Sequence, residues 1–246
     1  MARATAYKAP MPSDSDPTTP PPTWGPLRSF GRIKSRTLKP RQAALFDTLL
    51  PAIALPDPTA GRLDPGALMP GAKEVWLEIG FGGGEHLAAQ AARHPQALMI
   101  GCEPFLNGVG SALRHVEEMG LTNVRLHAGD ARAVMEALPD ASLDRVMILF
   151  PDPWPKARHN KRRLIQDETA AEIARVLKPG GRLRFVTDWK DYAAWAHERF
   201  LRAEGLEWRA ERADDWRTAP ADHVTTRYEE KKLGDTPPIF LEFVRT

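Results

Sequence analysis

Four carboxylates stand out by where they fall. Glu78 lies two residues ahead of a glycine-rich turn, Gly80-Phe81-Gly82-Gly83-Gly84; Glu103 follows the apolar run ALMIGC; Asp130 closes NVRLHAGD; Asp152 sits among prolines in FPDPWPK. Glycines such as Gly80, Gly82 and Gly84 let a backbone turn sharply and approach a ligand closely. The spacing is not that of a dinucleotide fingerprint, and the helix that follows lacks the Lys-Ser/Thr of a phosphate-binding loop. A carboxylate beside the turn disfavours a pyrophosphate and favours a ligand with positive charge. Glu103 could accept both hydrogen bonds from a pair of ribose hydroxyls, and Asp130 could meet an adenine amino group. Asp152 is held by prolines that fix φ, the kind of preorganisation that alignment chemistry requires.

Directly after Asp152 the sign of the charge reverses. Lys156, Arg158, Lys161, Arg162 and Arg163, interleaved with His159 and Asn160, form a run with no acid. Arginine forks and lysine ammoniums suit phosphate oxygens, so a basic run beside a ligand crevice points to a nucleic acid. A second basic stretch, 27–41, carries Arg28, Arg32, Lys34, Arg36, Lys39 and Arg41, again without an acid. It reads as a basic N-terminal arm that could touch phosphates.

The elements that must position these groups alternate. Strands are predicted over Val75–Gly80, Ala97–Pro104, Asn123–Asp130, Leu143–Phe150, Arg182–Asp188, Leu206–Glu211 and Pro238–Arg245. Helical spacing falls between them, from Gln42 to near Pro51, over Gly84–His94, from Leu106 to Val116, and over Ala131–Leu138, Asp167–Leu177 and Tyr192–Arg202. KPGG closes the helix before the fifth strand. Such alternation implies a doubly wound α/β domain, a mostly parallel sheet covered on both faces. Glu78, Glu103 and Asp130 then fall at the carboxyl ends of consecutive strands, where such sheets bind ligands.

Composition sets outer bounds. The chain has 246 residues, 42% of them apolar, a net charge of +2 and a single cysteine, Cys102. One cysteine allows no intrachain disulfide, and a cytoplasmic location fits. No apolar run reaches the ~18 residues of a membrane helix. Residues 1–26 contain seven prolines among small polar residues and read as a disordered leader, leaving 42–246 as the folded domain. His86, just past the glycine turn, reads as a helix-start residue, and Cys102 as a small buried hydrophobe. The histidines form no ligand-spaced cluster with Cys102, so no metal is expected.

The acids, the glycine turn and LKPGGRLRFVTD together resemble the class I S-adenosylmethionine-dependent methyltransferases, from about Lys73 to Thr246. That resemblance implies a Rossmann-like seven-stranded sheet whose last strand is antiparallel. FPDPWPKARHNKRR, TDW at Thr187–Trp189, TRYE at Thr226–Glu229 and RSFGR at Arg28–Arg32, with Arg36 and Gln42, resemble the bacterial tRNA (guanine-N7-)-methyltransferases. The resemblance implies methyl transfer from S-adenosylmethionine to N7 of guanine 46 in the variable loop of tRNA, by a monomer or homodimer. It implies that Glu78, Gly80, Gly82, Gly84, Glu103, Asp130 and Asp152 hold the methyl donor, with Asp152 catalytic. It also implies that Lys156, Asp188, Thr226, Arg227, Tyr228 and Glu229 contact the substrate, and Arg158–Arg163 the RNA.

Guanine N7 bears a lone pair and no proton, so no base need act first and the product ring is cationic. Asp152 is expected to orient the guanine or offset that charge. Glu229 or Asp188 could accept from guanine N1–H and its exocyclic amine, and Tyr228 or Trp154 could stack on the base. Two other readings remain: a small-molecule methyltransferase, which leaves the basic run without a purpose, and a non-enzymatic RNA-binding protein, against which the full acid and glycine set argues.

Overall fold

The run EVWLEI is apolar at nearly every position, and it forms β1, Glu74–Ile79, a strand buried on both faces. Its period of two divides it: Val75, Leu77 and Ile79 join one core, whereas Trp76 joins the other. Glu78 shares the parity of Trp76 and therefore points to that second face, a placement with consequences for the site.

The computed structural model describes residues 30–31 and 37–246. The expected leader, and Arg28, Arg32, Lys34 and Arg36 of the expected arm, lie outside the described residues. The chain enters through α1 (Pro40–Thr48), α2 (Leu50–Ile53) and α3 (Pro65–Leu68). After β1 come α4 (Glu85–Arg93), β2 (Ala97–Cys102), α5 (Leu106–Met119), β3 (Val124–His127), α6 (Ala131–Ala137) and β4 (Leu143–Leu149). A 3-10 turn (Ala157–Arg162) precedes α7 (Asp167–Val176), β5 (Leu177–Thr187), α8 (Lys190–Arg202) and β6 (Leu206–Trp208). Short α9 (Asp214–Arg217) and α10 (Arg227–Glu230) lead to β7 (Ile239–Arg245).

These strands form one seven-stranded sheet in the order β3-β2-β1-β4-β5-β7-β6. β7 runs antiparallel to both neighbours, β5 and β6, and the remaining pairings are parallel. One face of the sheet packs on α6, α7 and α8 through residues such as Val134, Ile173 and Phe200. The other packs on α1, α4 and α5 through Phe46, Leu87 and Leu113. The strand order reverses between β1 and β4, which opens a crevice at their carboxyl ends.

Two details depart from the pattern expected from sequence. KPGG does not separate α7 from the fifth strand: Leu177 already pairs with Leu143, and the register shifts before Arg182 pairs with Arg145, so the prolyl-glycyl stretch forms an irregularity within the β4–β5 ladder. β6 is shorter than the expected run to Glu211. Arg41, from the basic stretch, pairs with Glu117 at 2.7 Å and Glu118 at 3.2 Å on α5, and so braces α1.

Candidate active site

At the carboxyl ends of β1, β2, β3 and β4 lies a cavity of about 1180 Å³. Its floor carries Glu78, Glu103, Asp130 and Asp152, while Lys161, Arg162, Arg227 and Lys231 stand around it. The acids expected at successive strand ends thus meet in one space. Burial pushes the Glu103 carboxyl up, and the charges of Asp152 and Glu78 add to that rise. Anionic groups crowded in this way are relieved by a cationic ligand.

The glycine turn follows β1 because the chain must reverse into α4. Gly80, Gly82 and Gly84 all have positive φ, 72°, 53° and 80°. At Gly84 a Cβ would also lie 2.6 Å from the Ala112 Cβ, so the turn can seat against α5 only without a side chain. Glu103 then fixes the turn from the neighbouring strand end: one of its oxygens accepts from the Gly82 N–H and the other from the Phe105 N–H, each at 2.8 Å. The carboxylate expected to meet a ribose thus also ties two loops together, with one lone pair on each oxygen used inside the protein.

Asp130 caps α6 by accepting from the Arg132 N–H at 3.0 Å, and its other oxygen meets the Arg132 guanidinium at 2.6 Å. Burial opposes its charge, but the bonds and attraction from Arg132 outweigh that and hold the carboxyl below the usual Asp range. Cys102 is buried at the end of β2, and burial pushes its thiol up, so it remains a neutral hydrophobe.

The proline loop is held under strain. Phe150 and Trp154 adopt φ of 50° and 41°, and each precedes a proline. Residues before proline prefer extended backbone, and non-glycine residues at positive φ each cost about 1–3 kcal/mol. The surroundings impose the conformation. Arg163 is 3% exposed; its Nε donates to the Pro153 carbonyl at 2.8 Å, and its guanidinium also pairs with Asp191. Tyr192 and Trp195 rings cover it at 5.0 and 5.1 Å. Asp152 is thereby fixed with its surface open to the cavity. Desolvation by the cavity walls pushes its carboxyl upward, and among the described residues it makes no hydrogen bond or ion pair.

The basic run expected to touch RNA therefore divides. Arg163 is buried and braces the proline loop through the Pro153 carbonyl, and it also lines the cavity. Lys161 and Arg162 line the cavity, and Lys156, Arg158, His159 and Asn160 lie outside its lining. Arg162 stacks over Phe30 at 5.5 Å and Trp154 at 5.0 Å, forming an aromatic and cationic rim.

The TRYE segment supplies the facing wall. Thr226 caps α10 by accepting from the Glu229 N–H, and Arg227 pairs with Glu85 of α4 at 3.1 Å. Thr226, Arg227 and Tyr228 line the cavity; Glu229 turns away and meets His223 at 2.8 Å. Tyr228 packs on Phe150 with centroids 5.3 Å apart and donates to Asp188 at 3.4 Å. Burial raises the Asp188 carboxyl, which sits behind Tyr228 and outside the cavity lining. Of the groups proposed to read the guanine edge, only Asp152 lies on the cavity wall in this arrangement. Lys231, at the rim, was not singled out by the sequence, because a lysine pair after TRYEE carries no signal until the fold places one of the two on the cavity. Among the described residues, no group of His, Cys, Asp and Glu could hold a metal ion, and no helix is long and apolar enough to cross a membrane.

A doubly wound sheet with acids at the switch point and β7 antiparallel defines the class I methyltransferase fold. Solved structures agree: the 16S rRNA (adenine(1408)-N(1))-methyltransferase of Catenulisporales acidiphilia superposes with a TM-score of 0.53 at 21% identity, covering 76% of this chain and 97% of that one. A mutant of that enzyme with cosubstrate SAM gives 0.54 at 18% identity, covering 75% and 92%. A family model described as "Putative methyltransferase" matches residues 72–240. The tRNA (guanine-N(7)-)-methyltransferase of Caulobacter vibrioides strain NA1000 is 65% identical over 228 residues, 93% of this chain and 99% of its own. That of Hyphomonas neptunium is 49% identical over 217 residues, 88% and 99%. The chain belongs to the tRNA (guanine-N(7)-)-methyltransferase family.

Proposed function

We propose that this chain methylates N7 of a guanine in tRNA, in the variable loop, with S-adenosylmethionine as donor, and that it does so in the cytoplasm. The observation that carries this reading is the junction of opposite charge: a floor of four carboxylates meets a rim of lysine and arginine across one cavity. The floor fits a donor that carries a sulfonium and an ammonium, because burial and the charges of Asp152 and Glu78 make Glu103 costly to ionise and a cation lowers that cost. The rim fits a phosphate backbone.

Glu78, Glu103 and Asp130, with the backbone of Gly80 and Gly82, would hold the donor. Bound there, S-adenosylmethionine supplies an electrophilic methyl group for the N7 lone pair. Asp152 contributes a carboxylate on rigid backbone, free of competing partners, to orient the base and offset the charge its ring acquires. It serves this role only when ionised. Tyr228, backed by Asp188 and Phe150, supplies a flat wall for the purine. Arg162, Phe30 and Trp154 offer stacking surface for nucleotides next to the target.

The test incubates methyl-labelled S-adenosylmethionine with unmodified tRNA and maps the methylated nucleotide. The label should appear as 7-methylguanosine in the variable loop. Label at another base or atom, or none on tRNA while a small molecule is methylated, overturns the reading.

A further inference from the structure

The Glu78 carboxylate is 2% exposed, and its Oε2 lies 2.7 Å from Nδ1 of His86, itself 1% exposed. Strand parity turns Glu78 toward α4, and the first turn of α4 presents His86 to it. The hydrogen bonds around His86 fix its tautomer. Gln90 Nε2 donates to the Asp222 carbonyl at 2.7 Å and approaches His86 Nε2 at 3.2 Å. Nε2 is therefore the acceptor, and the proton resides on Nδ1, directed at Glu78. The same helix holds the segment that bears Tyr228 at further points: Arg93 donates to the Asp222 carbonyl at 2.9 Å, and Glu85 pairs with Arg227. Beyond Asp222, His223 stacks near His86 with centroids 6.3 Å apart and bonds Glu229 of α10.

We propose that His86 is a positioning residue for the methyl donor: its Nδ1–H holds Glu78 Oε2 so that Oε1 serves the cavity, and its Nε2 joins that carboxylate, through Gln90, to the segment carrying Tyr228. The proposal rests on the reading that the cationic donor meets Glu78. A buried carboxylate with one oxygen satisfied has fewer orientations open to it, so less ordering remains when ligand binds. The connection to Asp222 makes the donor floor and the substrate wall one polar unit.

The test uses the full chain and the variants His86→Leu, His86→Asn and Gln90→Met, with S-adenosylmethionine affinity read by titration calorimetry, steady-state kinetics on tRNA, and thermal melts for folding. Losing a hydrogen bond to a buried charge predicts that His86→Leu raises the donor Kd and KM by about 10- to 100-fold. At saturating donor kcat should fall less, by about threefold. His86→Asn, whose amide N–H can replace the Nδ1 donor, should restore affinity to within about threefold of the parent, which a role in packing alone does not predict. Gln90→Met should raise both the donor Kd and the tRNA KM by about threefold or more. A folded His86→Leu chain that binds donor within about twofold of the parent overturns the proposal, as do equal affinity losses in the Leu and Asn variants. If His86→Leu fails to fold, Gln90→Met decides: an unchanged donor Kd overturns the proposal and a raised one supports it. A parent chain that binds donor while His86→Leu binds equally well defeats the positioning role alone; a parent with no affinity for S-adenosylmethionine defeats the methyl-transfer reading as well.

Discussion

The floor and the rim of the cavity are built differently. The floor consists of strand ends in a ladder whose register is fixed by buried apolar residues on both faces, so Glu78, Glu103 and Asp130 arrive at the same edge whenever the sheet forms. Each is then secured locally, Glu103 by the Gly82 and Phe105 amides and Asp130 by Arg132. The rim consists of the loop from Pro153 to Arg163 and the segment from Asp222 to Lys231. No ladder fixes these; side chains do, through Arg163 on the Pro153 carbonyl, Arg227 on Glu85 and Gln90 on the Asp222 carbonyl. A residue's charge thus predicts its role on the floor better than on the rim, where Arg162 and Arg163 are neighbours in sequence and differ in office.

The sharpest break in that comparison comes at the boundary residue. Asp152→Ala should lower kcat by about 100- to 1000-fold, the loss typical of removing one preorganised electrostatic group, while calorimetry finds donor affinity comparatively intact. Turnover near the parent rate sinks the assignment. On the floor, Gly84→Ala forces a Cβ to 2.6 Å from Ala112 at a φ of 80°. The strain, about 1–3 kcal/mol, should lower Tm by several degrees, since each kcal/mol shifts a chain of this size by about 2–4 °C. An unchanged melt contradicts the packing described.

The paired rim arginines sharpen the contrast further. Arg162→Ala should make the slope of log tRNA affinity against log salt shallower by about 0.7–0.9, the signature of one lost phosphate contact. Arg163→Met should leave that slope alone, lower Tm, and reduce kcat by loosening the proline loop. If the two variants change the salt slope equally, Arg163 is an RNA contact after all.

The smallest expected effect is in pH. Desolvation raises Asp152, so its charged form, and with it kcat/KM, should fall on acidification at a pH above the unperturbed carboxylate value of about 3.9. Stability moves the other way for this group. A carboxyl raised in the folded state binds more protons there than in the unfolded chain, so its contribution is fully present below the unfolded pKa and is lost as pH rises through the folded pKa. Asp130, held below its usual range, contributes stability that is lost as pH falls through its folded pKa. A pH–rate profile beside a pH–Tm profile separates these, and a kcat/KM that stays flat into the acid carboxylate range removes Asp152 as an ionised participant.

The alternation of strands and helices and the acids at strand ends were legible in one dimension, because period-two burial and glycine turns are local signals; the antiparallel last strand came from family resemblance. The sequence also carried the rigidity of the proline loop, since proline spacing is visible in one dimension, but not the positive φ of Phe150 and Trp154. That Arg163 braces the Pro153 carbonyl, that Glu229 meets His223, and that His86 is a partner of Glu78 as well as a helix-start residue came from the packing of distant segments. The His86–Gln90 spacing puts both on one helical face, a signal that becomes readable only once the parity of β1 is known. The direction of a side chain depends on which surfaces compete to bury it, and those surfaces come from distant segments, as Gln90 and Asp222 are 132 residues apart in the chain.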